Sequence, residues 1–408
     1  MKRGCGIGCV ATAFAVALAG SCSDEPRVED LTGAQDTSGI QIIQLDETHW
    51  QTVGLLELSP VPSFTVGAQR GPDPEILFRV SGGSVLTDGR IVILDGGRKD
   101  LRFYDPDGEM VGVQGREGEG PGEYRQPTGL WPLPGDSLVV WDRKLKRVTI
   151  VGPDGTVARD ARLSGRSRST EVVGVFADGS LIVFRQRMAE QQESKDQQFP
   201  GYYSRYSPSG DSLHALGEFP WRRLLATPPA TAGGMQMVTF GFPIFDAPTE
   251  VAASPDGFWV GTTKRNEVLQ ISKLGEVERI IRWTGPDRTV TDAVKEAYYD
   301  ELRARRAANP RSGEVREPSR GVPFADALPS HGKLVARSDG GLLIEEFNPP
   351  GSEPSNGWRV LGPTGELEGR LELPLSSEVL WAGPERILLL ERDELDVEFV
   401  RLYYLEEG

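Results

Sequence analysis

Cysteine is nearly absent from this sequence. Its three thiols, Cys5, Cys9 and Cys22, stand near the start, so from Ser23 onward no disulfide, thiolate metal ligand or cysteine nucleophile is available. Histidine is equally scarce: His49, His214 and His331 are far apart and fit no zinc-site spacing. Asn266, Asn309, Asn348 and Asn356 are the whole set of asparagines, and none falls in a predicted inner strand. No Gly-x-Ser-x-Gly elbow is present, and no catalytic combination of serine, histidine and aspartate has supporting local sequence. Basic residues are in deficit, 45 Lys and Arg against 60 Asp and Glu, for a formal net charge of −15. Such a chain repels polyanions and has no basic block to offset this, which excludes nucleic acid as a partner. What is abundant is punctuation. The 49 Gly and 30 Pro are scattered between short apolar runs, the composition of a turn-dense β protein.

The first residues read as a targeting segment. Lys2-Arg3 is followed by an apolar run, 7–18, too short to span a bilayer as a mature helix. Ala19-Gly20-Ser21-Cys22 resembles the bacterial lipobox, with Leu18 one place early and Ala19 where leucine is commonest. The sequence therefore predicts a lipoprotein signal peptide over 1–21, an acylated Cys22, a flexible tether over 22–45 and a folded domain over 46–408. The expected location is the cell envelope, on the periplasmic side or at the outer membrane, with membrane contact through the lipid alone.

The folded part is organised around 87–127. Three short β-type runs (90–95, 101–104 and 110–114) are each closed by a turn, among them Asp105-Pro106-Asp107-Gly108. Turns this close leave no room for a helix, so the unit is an antiparallel meander. It recurs about every 40–50 residues, the blade period of propellers. Copies begin near 138, 172, 251, 334 and 379, and the last runs out of chain before its fourth strand. Phe64–Val66 has the pattern of an outer strand with no blade of its own, and pairing it with the last copy closes a ring without exposed edges. The expectation is an all-β, six-bladed β-propeller with four-stranded blades, closed by an N-terminal strand.

The run from Gly115 to Tyr124, then Pro127-Thr128-Gly129, Asp136 and Val139-Val140-Trp141-Asp142, resembles the NHL-like six-bladed β-propellers. It is similar in particular to the exported or lipidated bacterial members of unassigned function. The resemblance implies architecture and no single activity, because such rings host enzymes and binding platforms alike. Amidating lyases on these rings use clustered histidines for zinc, which this chain lacks. Calcium-dependent lactone hydrolases use Glu, Asn and Asp from inner strands, and asparagine is short here.

Two insertions interrupt the rhythm. The stretch 185–200 reads as a polar, solvated loop. A single helix is predicted near 290–309, capped by Thr289 or Thr291, with Val294, Tyr298 and Leu302 as its buried stripe and Arg305 and Arg306 in its last turn. It is expected to cover or rim the propeller funnel. The glycine-rich loop 115–124 opens no helix and lacks the Lys-Ser/Thr of a phosphate loop. Its Arg116, Glu117, Glu119, Glu123 and Tyr124 are the candidate ligand-facing residues, and calcium is the cofactor its oxygen donors leave open. With no catalytic constellation in view, the expectation is a monomeric binding or scaffolding module for a protein or small-molecule ligand. The alternative is a calcium-dependent hydrolase or lyase with its site on the axis.

Overall fold

The structure, a computed structural model, describes residues 39–46, 53–164, 169–186, 196–226, 230–232, 235–237, 240–308 and 321–408. The predicted signal peptide, Cys22 and most of the predicted tether lie outside these residues, as does the end of the predicted helix.

Three strands precede the repeats: β1 (Gln41–Leu45), β2 (Leu55–Leu58) and β3 (Phe64–Val66). The first meander is β4 (Val80–Val85), β5 (Ile91–Asp95), β6 (Asp100–Tyr104) and β7 (Met110–Gln114). The next is β8 (Pro127–Pro132), β9 (Leu138–Asp142), β10 (Arg147–Val151) and β11 (Val157–Arg162). Then come β12 (Thr170–Val175), β13 (Leu181–Gln186), β14 (Asp196–Tyr206) and β15 (Ser212–Ala226). After the small strands β16 (Ala230–Ala232), β17 (Met235–Met237) and β18 (Phe240–Gly241) follow β19 (Glu250–Ala253), β20 (Gly257–Gly261), β21 (Glu267–Ser272) and β22 (Val277–Trp283). Beyond the helix α1 (Asp292–Ala308) lie β23 (Leu334–Ala336), β24 (Leu342–Glu345), β25 (Gly357–Leu361) and β26 (Leu367–Glu372). The chain ends with β27 (Glu378–Ala382), β28 (Arg386–Arg392) and β29 (Glu398–Glu407).

The meanders' first strands touch in a closed cycle, β4 to β8, β12, β19, β23, β27 and back to β4. The described chain is thus mostly strand, with a propeller-like arrangement. Its cores lie between successive sheets. One cluster joins Ile91 and Ile93 to Leu388 and Leu390, and another joins Trp259 to Leu342 and Ile344. Second strands such as Ile91–Asp95 are buried throughout, because both of their faces meet a neighbouring sheet.

Phe64–Val66 pairs antiparallel with β29, Phe64 opposite Leu402 and Val66 opposite Val400, as the pattern predicted. The belt is longer than expected. β2 runs parallel to β26 and antiparallel to β29, and so joins the last two meanders into one nine-stranded sheet. β1 pairs in parallel with β22, from Gln41 opposite Arg279 to Leu45 opposite Trp283. The tether expected over 22–45 is corrected at its end: Leu45 is buried against Trp283 and Ile281, which holds 41–45 in the sheet. The loop expected over 185–200 also begins and ends as strand. Arg185 and Gln186 pair with Tyr202 and Gly201, and Gln198 and Phe199 face Arg223 and Arg222 in a long hairpin.

The helix is capped by the Thr291 hydroxyl, which accepts from the Val294 amide at 3.4 Å. Its buried residue is Tyr299, while Val294, Tyr298 and Leu302 are only half-buried. The surface beneath it is aromatic. Phe324 meets Tyr298 and Tyr299, with ring centroids 5.7 Å away in both cases, and Phe245 meets Tyr298 at 5.5 Å. A contact face two residues wide replaces the predicted single stripe.

Candidate functional site

The two ends of the axis differ because the connections there differ. Turns between first and second strands gather at one end, the hairpin end. Crossovers into the first strands gather at the other, together with α1 and the extended β14–β15 hairpin.

The candidate loop 115–124 is a crossover, from β7 to β8. Its carboxylates are engaged within the loop and its surroundings. Glu117 pairs with Lys99 at 3.1 Å and with Arg125 at 3.3 Å, and Glu119 pairs with Arg125 at 3.3 Å. Glu123 pairs with Arg116 at 2.7 Å and accepts from the Gly120 amide at 2.8 Å. The hydrogen bond from Lys99 holds Glu117 below the ordinary carboxylate range, and the Gly120 amide with Arg116 does the same for Glu123. Tyr124 is not ligand-facing. It is fully buried, and its hydroxyl donates to Gln114 Oε1 at 2.9 Å. Burial pushes that hydroxyl far above the ordinary tyrosine range. Its ring packs where a Cβ on Gly115 would stand, and Gly115 has a φ of +100°, so glycine is required there on both counts. The loop is an internally satisfied crossover in which tyrosine is a core residue.

Aspartates at the ends of second strands are structural as well. Asp142 accepts from the amides of Arg125, Gln126 and Leu145 at 2.6, 2.9 and 2.8 Å. Asp95 is wholly buried and receives the amides of Phe78 and Arg98 at 3.0 and 2.8 Å. Among the described residues, no three His, Cys, Asp or Glu side chains are grouped so as to hold a metal ion.

The crossover end of the axis is charged and mostly paired. Glu378 of β27 meets Arg392 at 2.9 Å and Lys333 at 3.8 Å, and Glu171 of β12 meets Arg143 at 2.8 Å. Glu250, which opens β19, has no hydrogen-bond or ion-pair partner among the described residues. Burial pushes its carboxyl up to about 7, against the attraction of Lys333. Nearby His331 is buried, with Nδ1 2.8 Å from the Gly332 carbonyl and no partner on Nε2, and burial lowers it to about 4.

The hairpin end opens into a cavity of about 670 Å³ on the axis. Every first strand contributes to its wall, through Val85, Trp131, Val175, Val251, Val335 and Trp381 among others. Polar groups stand at the mouth and are largely occupied. The Thr87 amide and hydroxyl donate to Asp136 at 2.9 and 2.5 Å, and Arg337 pairs with Asp339 at 2.8 Å and with Glu368. No residue of α1 or of the loop 115–124 lines this cavity, so the helix does not rim it as expected. A wider surface groove of about 820 Å³ runs beside the start of α1, where Asp292 and Lys295 pair at 2.8 Å. Sequence reasoning expected the funnel under the helix at the crossover end, and missed the cavity at the hairpin end, Glu250 and the indoles of Trp131 and Trp381. The available signal was a Leu-Trp pair near the end of two first strands, Leu130-Trp131 and Leu380-Trp381.

No family model and no curated protein matches the chain. Solved structures similar to it include an exported protein of Bacteroides fragilis, 12% identical, covering 90% of this chain and 100% of that one with a TM-score of 0.49. A DUF4221 family member from Bacteroides vulgatus is 9% identical over 88% and 100% of the two chains, also with a TM-score of 0.49. Regucalcin from Agrobacterium tumefaciens, a calcium-binding protein, is 12% identical over 85% and 98%, with a TM-score of 0.37. These likenesses carry no functional argument.

Proposed function

We propose that the chain is an exported binding propeller, lipid-anchored at the cell envelope through Cys22, whose ligand is a small apolar molecule held in the axial cavity. The nine-stranded sheet is counted as two blades bridged by β2, which gives a six-bladed ring of the NHL-like kind with β3 as the outer strand of the last blade. The observation that carries the functional reading is the cavity itself. At about 670 Å³ it falls in the size range of small-molecule sites, and it is walled by side chains such as Val85, Val175 and Val251 that gain from excluding water. The charged rims and the engaged loop 115–124 supply no comparable receptor.

Binding of N-phenyl-1-naphthylamine, an uncharged apolar fluorophore, tests this. The wild-type protein takes it up saturably, and Val251→Trp, which fills the cavity, weakens binding at least roughly tenfold without lowering the melting temperature. Unchanged binding in that variant would place the apolar site elsewhere. Anchoring is tested separately by Cys22→Ala, which is expected to move the protein from the detergent phase to the aqueous phase.

A second reading, hydrolase or lyase, is favoured by one group. A carboxyl titrating near 7 suits general acid–base work, and Glu250 stands at the crossover end of the axis. Calcium remains part of that reading, and a melting-temperature shift on calcium titration is the result that would support it.

A further inference from the structure

The cavity wall is not uniformly apolar. Three of the chain's buried indoles donate their N–H to the protein: Trp141 to Glu171 at 3.1 Å, Trp259 to the Gly340 carbonyl at 3.3 Å and Trp358 to Asn356 at 2.9 Å. Trp131 and Trp381 do not. Both are half-buried in the cavity wall, on β8 and β27 either side of β4, and neither indole N–H has a hydrogen-bond partner among the described residues. The six-membered edge of each ring comes against a glycine, Trp131 against Gly129 and Trp381 against Gly383, where a Cβ would collide with it. Only glycine leaves room for the indoles at these two places.

An indole N–H is a donor only, so its complement must be an acceptor. The charge balance argues against a carboxylate as that acceptor. The net charge is −15, and the lining sets two carboxylates, Asp136 and Glu385, against two guanidiniums, Arg386 and Arg337, the latter already paired. With those charges in balance, the lining offers no net charge for an ionic ligand to neutralise. What remains is a neutral oxygen or nitrogen acceptor on an apolar, flat body that can lie against the aromatic faces.

We propose that the axial cavity selects uncharged, planar apolar molecules bearing carbonyl-type hydrogen-bond acceptors, recognised by the indole N–H groups of Trp131 and Trp381. This rests on the cavity being the binding site, and the test separates the two claims. The probes are menadione, which carries two ring carbonyls, 2-methylnaphthalene, which has the same ring skeleton and no acceptor, and 2-naphthoate, which is anionic. From Ser23 onward no thiol is present to react with the quinone. Affinities are measured by equilibrium dialysis for the wild type, Trp131→Phe, Trp381→Phe and Arg386→Ala, with melting temperatures as the folding control.

Menadione is expected to bind about tenfold more tightly than 2-methylnaphthalene. Each Phe variant should weaken menadione about three- to tenfold more than it weakens 2-methylnaphthalene, the difference being the lost hydrogen bond. If the two neutral probes bind alike and the Phe variants are silent, acceptor recognition is wrong and the apolar cavity stands. Preference for 2-naphthoate, abolished by Arg386→Ala at the mouth, would overturn the neutral-ligand assignment. If neither neutral probe binds, the cavity reading fails and this inference fails with it.

Discussion

The two ends of the propeller axis are built from the same repeats and solve opposite problems. At the crossover end the chain is elaborated: α1 sits on an aromatic bed, the β14–β15 hairpin runs on past the sheet, and the rims carry ion pairs such as Glu378–Arg392. At the hairpin end the connections are short turns, and the axis opens into an apolar cavity. Elaboration usually marks the functional face, since loops can vary while a scaffold holds them. Here the elaborated end uses most of its side chains on one another, Glu250 and the His331 Nε2 apart, and the plain end keeps its apolar side chains and two indole donors free. Unsatisfied capacity is the better guide to a ligand site than loop length.

The largest way to break the comparison removes the ring that both ends share. A chain beginning at Gly67 loses β1, β2 and β3, and with them the burial of Leu45, Phe64 and Val66 and the cover on three sheet edges. It should lose on the order of 5 kcal/mol and aggregate, whereas a chain beginning at Ser38 should melt like the full-length protein. Equal melting of the two would show that the belt does not close the ring. Next in size is Tyr299→Ala at the crossover end. It empties the buried contact with Phe324 and should cost about 3 kcal/mol in denaturant unfolding, yet leave binding of N-phenyl-1-naphthylamine unchanged. A loss of binding in proportion would mean that the two ends are coupled.

The smallest effect is a pH dependence. The Glu250 carboxyl is raised by burial from 4.5 to about 7, so between those values the folded state keeps a proton that the unfolded chain releases. Stability therefore falls as pH rises through that window. His331, lowered by burial from 6.5 to about 4, works the other way, adding stability as pH rises from 4 to 6.5. Glu250→Gln removes the falling contribution alone and should stabilise the protein at pH 8 by roughly 1–2 kcal/mol, with no gain at pH 4. An equal effect at both pH values would mean that Glu250 is not strained by its burial.

Legibility in the sequence followed locality. The meanders were readable because each turn signal lies within a few residues of the strands it joins, and Phe64–Val66 was readable because it repeats the pattern of β7. β1 and β2 were not, because their partners, parallel β22 and β26 and antiparallel β29, are distant in sequence, and five residues such as QIIQL look the same in a tether and on a sheet edge. Tyr124 was misplaced because a tyrosine in a glycine-rich loop reads as surface, and only the approach of Gly115 shows it turned inward. The helix was found, but its contact face was drawn as one stripe where Tyr298 and Tyr299 together meet Phe324. The cavity's one local signal was the pair of Leu-Trp steps at 130–131 and 380–381. First strands that fill an axis and first strands that leave it open share the same alternation, and the contacts of Trp131 with Gly129 and of Trp381 with Gly383 appear only in the structure.

A crystal structure of the protein soaked with menadione tests the central claim most directly. The account predicts ring density in the axial cavity at the hairpin end, with a carbonyl oxygen about 3 Å from the indole nitrogen of Trp131 or Trp381. Density at the crossover end beside Glu250, with the axial cavity filled by water alone, would contradict it.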